Sequence, residues 1–175
     1  MRRIARLMAA VVLVAAPSIQ AASATGTTIL GLTVGAEASI SITTSNTALT
    51  SGDTLFSNYA GTTSFTYSIR TAESGGTGSI TLQVTSDWTP STGNLSVANP
   101  HDADDLLKYT CTAATGTACA TALTASTTAA TTVATIGAGA HGENVAGSVT
   151  WSLKNDPAYK TGAYSATVTF TIGSA

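Results

Sequence analysis

The chain has 175 residues, of which only 9% are charged, and its seven Lys and Arg against nine Asp and Glu leave a net charge of −2. So sparse and balanced a charge set excludes a basic nucleic-acid surface and a polybasic membrane patch. Apolar residues make up 43% of the chain, which excludes disorder by composition.

In chain order, Arg2, Arg3 and Arg6 precede the apolar run LMAAVVLVAA at residues 7–16. A positive start, an apolar run of that length and a small-x-small site together read as a secretory signal, too short to span a bilayer. Ala22-Ser23-Ala24 supplies the site, so residues 1–24 are expected to be a signal peptide and 25–175 a single mature domain. A cut after Ala21 also fits. The arginine pair lacks the neighbours of a twin-arginine signal, which leaves general secretion, to the periplasm or the cell surface. No later stretch is long and apolar enough for a membrane helix. The mature chain would keep Arg70, Lys108, Lys154 and Lys160 against all nine acids.

Residues 30–42, LGLTVGAEASISI, alternate without interruption: Leu30, Leu32, Val34, Ala36, Ala38, Ile40 and Ile42 share one face. That is the period of a strand with one dry face. At about 3.3 Å per residue the run would span roughly 43 Å, far longer than the usual strand of about 5–6 residues. Either Gly31 or Gly35 bends it so that each half joins one sheet, or residues 28–34 leave to complete a neighbour's sheet while 36–43 stay at home.

Alternation continues in SFTYSI (64–69), SITLQV (79–84), LKYTC (107–111), SVTWSL (148–153) and YSATVTFTI (164–172), with Ser and Thr on the opposite faces. Turn-forming stretches at 46–53, 73–78, 89–94 and 155–162 separate them. Residues 121–144 are rich in Ala, Thr and Gly, with Leu123, Val133 and Ile136 as the main apolar anchors. A weak strand near 130–136 with loop around it fits, and so does a long surface loop. The expected fold is all-β, an antiparallel β-sandwich of immunoglobulin-like or jelly-roll type with about seven to eight strands.

Cys111 and Cys119 flank CTAATGTAC, and in an exported chain a close pair is expected to form a disulfide, with Gly116 allowing the turn. The spacing is not C-x-x-C, so a redox role has no support. His101 and His141 stand in apparent loops, and neither G-x-S-x-G nor H-E-x-x-H occurs. The expectation is a non-enzyme with no cofactor and no metal. Asp102, Asp104 and Asp105 could share a calcium ion, but the EF-hand pattern fails and a solvated acidic turn explains them. Thr167, Thr169 and Thr171 form a row that could face ice or carry sugars, although Thr also simply suits the wet face of a strand. Trp88, Tyr59 and Tyr159 could make a carbohydrate platform, or could pack at a rim.

Gly162, Tyr164, Thr167, Val168 and Thr169 in GAYSATVTFTI (162–172) resemble the last strand of bacterial fimbrial subunits of the spore-coat-U and chaperone–usher type. An alternating strand just after the signal is also usual there, although this chain lacks an early cysteine. The resemblance implies a donor strand that completes the next subunit's sandwich, with Leu30, Leu32 and Val34 as the exchanged anchors. It further implies self-assembly or related surface subunits as partners, and a periplasmic chaperone. VTWSLKNDP (149–157) is similar, more weakly, to the W-x-L strand of WxL cell-surface domains. The expected function is therefore a secreted structural protein, fimbrial-like, with a monomeric adhesive or carbohydrate-binding module as the alternative.

Overall fold

A computed structural model describes residues 27–91 and 93–175, so the signal peptide expected over 1–24 lies outside the described residues. The chain divides into two compact units, one up to Thr33 and one from Val34 to Ala175. Residues 27–33, the described part of the first, are in no strand.

The second unit is all-β, an antiparallel sandwich as expected. One sheet holds β1 (Glu37–Ile42), β3 (Tyr59–Arg70), β9 (His141–Leu153), β5 (Lys108–Ala113) and β7 (Leu123–Thr124) in that order, with β2 (Thr50–Ser51) also paired to β3. The other holds β10 (Ser165–Ser174), β4 (Gly78–Thr89), β8 (Thr131–Ile136) and β6 (Thr117–Ala118). Seven of these strands are six residues or longer, and the remaining three are two-residue bridges. Among the described residues there is no helix.

The alternation read from sequence becomes the two faces of each sheet. Phe65, Tyr67 and Ile69 of β3, Ile80, Leu82 and Val84 of β4, and Val149, Trp151 and Leu153 of β9 are at most 4% exposed. The opposite faces pair hydroxyls across strands: Thr62 with Thr150 at 3.3 Å, Thr112 with Ser148 at 2.8 Å and Thr85 with Thr169 at 3.0 Å. Buried tyrosines satisfy their hydroxyls on backbone, Tyr67 donating to Thr115 O at 2.9 Å and Tyr109 to Thr132 O at 3.0 Å.

Two stretches differ from the sequence expectation. β3 and β9 run to 12 and 13 residues, because segments rich in Gly, Ala and Thr extend their mutual register from Tyr59 opposite Leu153 to Arg70 opposite His141. Gly147 is required in that ladder, since a Cβ there would collide with the packed ring of Phe65. The weak strand expected near 130–136 is β8, and it lies in the core. A register shift between Ile80 and Thr81 of β4 leaves both Val133 and Ala134 buried side by side, which breaks the alternation.

Cys111 and Cys119 are joined, with Cα atoms 5.1 Å apart. β5 belongs to one sheet and β6 to the other, so the bridge ties the sheets together beside the turn at Gly116, whose φ is +93°. Only glycine adopts that conformation without cost.

Two outcomes follow from this packing. Trp151→Ala should destabilise the fold by about 3–5 kcal/mol, because it removes a buried aromatic from a close-packed core. Thr150→Ala, one residue away on the exposed face, should cost no more than about 0.5–1 kcal/mol. Denaturant melts of the two variants check this, and equal effects would refute the assignment of faces. Unreduced protein should show no free thiol on titration, and reduction should lower stability by about 2.5 kcal/mol, the loop-closure value for so short a loop.

Candidate functional site

β10 ends its sheet: among the described residues it pairs only with β4, from Ser174 opposite Gly78 to Ser165 opposite Thr89. Its other edge therefore offers unpaired backbone N–H and C=O groups. The side chains tell the same story. Ile80, Leu82 and Val84 of β4 are fully buried, whereas Val168, Phe170 and Ile172 of β10 are only half-buried on the same inner face.

The cause lies in the facing sheet. β1 pairs with β3 only from Phe65 to Arg70; after Ile42 the ladder stops, and residues 43–49 form a turn held on β3 by the N–H groups of Thr43 and Thr44, which donate to Ser64 O, before β2 pairs with Tyr59 and Ala60. The space between this turn and β10 is a cleft of about 830 Å³, lined by Ile42, Leu49, Trp151, Val168, Phe170 and Trp88 among others. Trp151 is held there by its indole N–H, which donates to Thr63 Oγ1 at 2.8 Å. Thr63 in turn shares a 2.6 Å hydrogen bond with Thr47 on the turn.

Asp87 shapes the wall. Its carboxylate accepts hydrogen bonds from the backbone N–H of Trp88, Val97 and Ala98 and from the Ser96 hydroxyl, at 2.7–3.1 Å. Burial alone would raise the titration of this carboxyl, but the four hydrogen bonds together outweigh it and hold the group below its usual value. The loop bearing Leu95, another lining residue, is fixed beside Trp88 in this way.

The three aromatic residues singled out from sequence, Trp88, Tyr59 and Tyr159, all line this one cleft. Trp88 Nε1 and the Tyr159 hydroxyl are buried there without hydrogen-bond partners. They are rim and wall residues of a groove rather than a flat, exposed platform.

The exchanged-strand candidates stand in the open. Leu30 and Leu32 are 93% and 87% exposed, Val34 is 58% exposed, and residues 27–36 form no strand. Only the second half of the long alternating run is therefore paired, as β1. Arg70 marks the division: its Nε donates to Gly35 O at 2.7 Å and its Nη2 to Glu37 Oε2 at 3.1 Å. Both partners of that ion pair are exposed, so it defines geometry more than stability.

A second cluster of polar residues sits where the 101–105 loop meets the end of β9. Lys154 Nζ lies 2.8 Å from Asp156 Oδ2, 3.0 Å from Asp104 Oδ1 and 3.2 Å from Asp105 Oδ1. Asp156 and then Asp104 hold the ammonium protonated well above its ordinary range, and Lys154 holds both of those carboxyls below theirs. Burial, followed by the nearby Asp105 and Asp156 charges, pushes the Tyr159 hydroxyl up, so it stays neutral. Sequence grouped Asp102, Asp104 and Asp105. Lys154 and Asp156 arrive from some fifty residues away, and no local signal could have found them.

The remaining sequence candidates have structural contacts. His141 Nδ1 lies 3.2 Å from Gly139 O, and His101 Nδ1 lies 3.2 Å from Asp102 Oδ2, so neither contact is to a serine or cysteine. Thr167, Thr169 and Thr171 are exposed on the outer face of β10, where Thr169 bonds across to Thr85. Among the described residues no helix is long and apolar enough to cross a membrane. Comparison of the chain with protein-family models, with curated proteins and with solved structures finds no match. The site's own geometry therefore bears the functional argument.

Asp87→Ala should lower stability by about 1–2 kcal/mol at pH 7, the value of charge-assisted hydrogen bonds discounted for partial exposure. Because the folded carboxyl titrates below its ordinary value of 3.8, its stabilisation is complete above that pH and is lost as pH falls through the folded value. The stability gap between wild type and variant should accordingly be constant from pH 7 to 5 and narrow in acid, measured by urea melts across pH. A gap independent of pH would count against this role.

Proposed function

We propose that this chain is a non-enzymatic, secreted cell-surface structural protein, a fimbrial-like subunit that assembles by strand exchange. One observation carries the reading: the same chain has an unpaired β10 edge beside a cleft of about 830 Å³ with an apolar floor of Trp151, Val168 and Phe170 and, separately, an exposed alternating segment in no strand. The occupant proposed for the cleft is residues 28–34 of a second copy.

The chemistry of the two parts is complementary. Side chains on one face of a strand recur about every 6.6 Å, so Leu30, Leu32 and Val34 have the spacing of Val168, Phe170 and Ile172. An incoming strand would satisfy the free backbone groups of β10, and its alternate side chains would fill the space over Trp151 and Phe170. Each leucine moved from nearly full exposure to burial contributes roughly 1.5–3 kcal/mol. An open edge with an apolar floor is also an aggregation hazard before assembly. That hazard supports a periplasmic chaperone as a transient partner, and related surface subunits as alternative donors.

A monomeric adhesive or carbohydrate-binding module is the second reading, favoured by the convergence of Trp88, Tyr59 and Tyr159 on one cleft. It ranks lower because sugar-stacking needs open ring faces, and the polar ends of Trp88 and Tyr159 are buried.

Leu32→Asp separates the readings, since it would bring an unpaired carboxylate into a dry groove. Size-exclusion chromatography of wild type should show high-mass assemblies that this variant lacks, and a peptide of residues 27–36 should bind the variant and raise its melting temperature. A wild-type chain that stays a stable, cooperative monomer at every concentration would overturn strand exchange. Glycan binding by that monomer, abolished in Trp88→Ala, would establish the alternative.

A further inference from the structure

We propose that His101, Asp102, Asp105 and Asp156 bind one divalent cation of the zinc class, independently of strand exchange. Each of the four offers a ligand atom, and these atoms all lie within 4.8 Å of one another. His101 Nδ1 is 3.2 Å from Asp102 Oδ2 and 3.8 Å from Asp105 Oδ2. A tetrahedral zinc ion with bonds of about 2.0–2.1 Å sets its ligand atoms about 3.3 Å apart. The His101–Asp102 separation already fits, and the widest pairs close by up to about 1.5 Å through side-chain rotation.

Proximity of acids is not sufficient, because acidic turns are commonly just solvated. The deciding observation is Asp105. Its side chain is 1% exposed, and neither carboxylate oxygen has a hydrogen-bond partner. Lys154 Nζ forms an ion pair with Oδ1 at 3.2 Å, but that ammonium is shared with Asp104 and Asp156. Oδ2 points the other way, toward His101, across a gap too long for a hydrogen bond. A buried carboxylate oxygen left without a partner is strongly unfavourable. The Tyr159 hydroxyl beside it can offer a hydrogen bond but no positive charge. One ammonium therefore faces three carboxylates, those of residues 104, 105 and 156, while that of residue 102 lies beside His101, and a dication beside Oδ2 would supply the missing positive charge.

The donor set selects the metal. An imidazole nitrogen with carboxylate oxygens suits zinc, whereas calcium and magnesium prefer oxygen alone. Zinc would take an imidazole nitrogen of His101, and any proton held on that nitrogen is released to solvent. Asp104, which contacts Lys154 rather than this set, is outside the site.

The test is calorimetric titration of ZnCl₂ into untagged, EDTA-treated protein, with MnCl₂ and CaCl₂ as comparators. One equivalent of zinc should bind with a micromolar or tighter dissociation constant and raise the melting temperature. His101→Ala and Asp102→Asn, both at exposed positions, should each weaken binding at least tenfold while their metal-free melts stay at the wild-type temperature. Asp104→Asn should leave zinc affinity within about twofold. Absence of one-to-one zinc binding up to about 1 mM would overturn the proposal, as would zinc or calcium binding that His101→Ala leaves unchanged.

Discussion

Every strand in a sheet needs a backbone partner on each edge or water in its place, and every apolar residue on an inner face needs something to cover it. β10 has no strand on its outer edge, and its inner face is only half covered. Its partner β4 is covered by β8 and by the facing sheet, so Ile80, Leu82 and Val84 vanish into the core. β10 has no such neighbour on its outer edge, and in the facing sheet the ladder of β1 with β3 stops at Ile42 opposite Phe65. The incomplete cover of this one strand determines the cleft, its apolar lining and the functional reading drawn from them.

Around this opening the polar groups are organised to keep its shape. Trp151 is pinned by Thr63, Thr63 by Thr47, and Trp88 and Leu95 by the hydrogen bonds that converge on Asp87. These side-chain bonds, some local and one spanning 88 residues, hold a half-open wall in place without closing it. The disulfide links β5 of one sheet, through Cys111, to Cys119, which directly follows β6 at the edge of the other. Elsewhere the sheets are held by one apolar cluster that joins Phe65, Tyr67, Val149 and Trp151 of one sheet with Ile80, Leu82, Val84 and Val133 of the other.

The charged residues, though few, are not scattered evenly. Lys154 gathers Asp104, Asp105 and Asp156 at the end of β9, and Asp156 and Tyr159 also line the cleft. In a surface otherwise made soluble by hydroxyls, this is the one place among the described residues where three carboxylates converge on one cation. It ties the 101–105 loop to the segment leading toward β10. Any change in its charge balance would therefore act at one end of the groove.

The strand faces were legible from sequence because side-chain direction in a strand depends only on residue parity. Phe65, Tyr67, Ile80, Leu82, Val149 and Trp151 are inward for that reason, and the Thr and Ser between them are outward. The cysteine pairing was legible too, since a short intervening segment leaves few ways to separate the two thiols. β8 was hard to read because its bulge buries Val133 and Ala134 together and erases the parity signal. The zinc-class cluster and the cleft were out of reach altogether. His101 and Asp156, or Ile42 and Phe170, become neighbours only when long-range pairing brings distant segments together. Sequence by itself determined which way each side chain points from its strand. The tertiary structure decided which strand stands beside which, and so which edge is left open, because pairing between strands is set by contacts the chain makes only once folded.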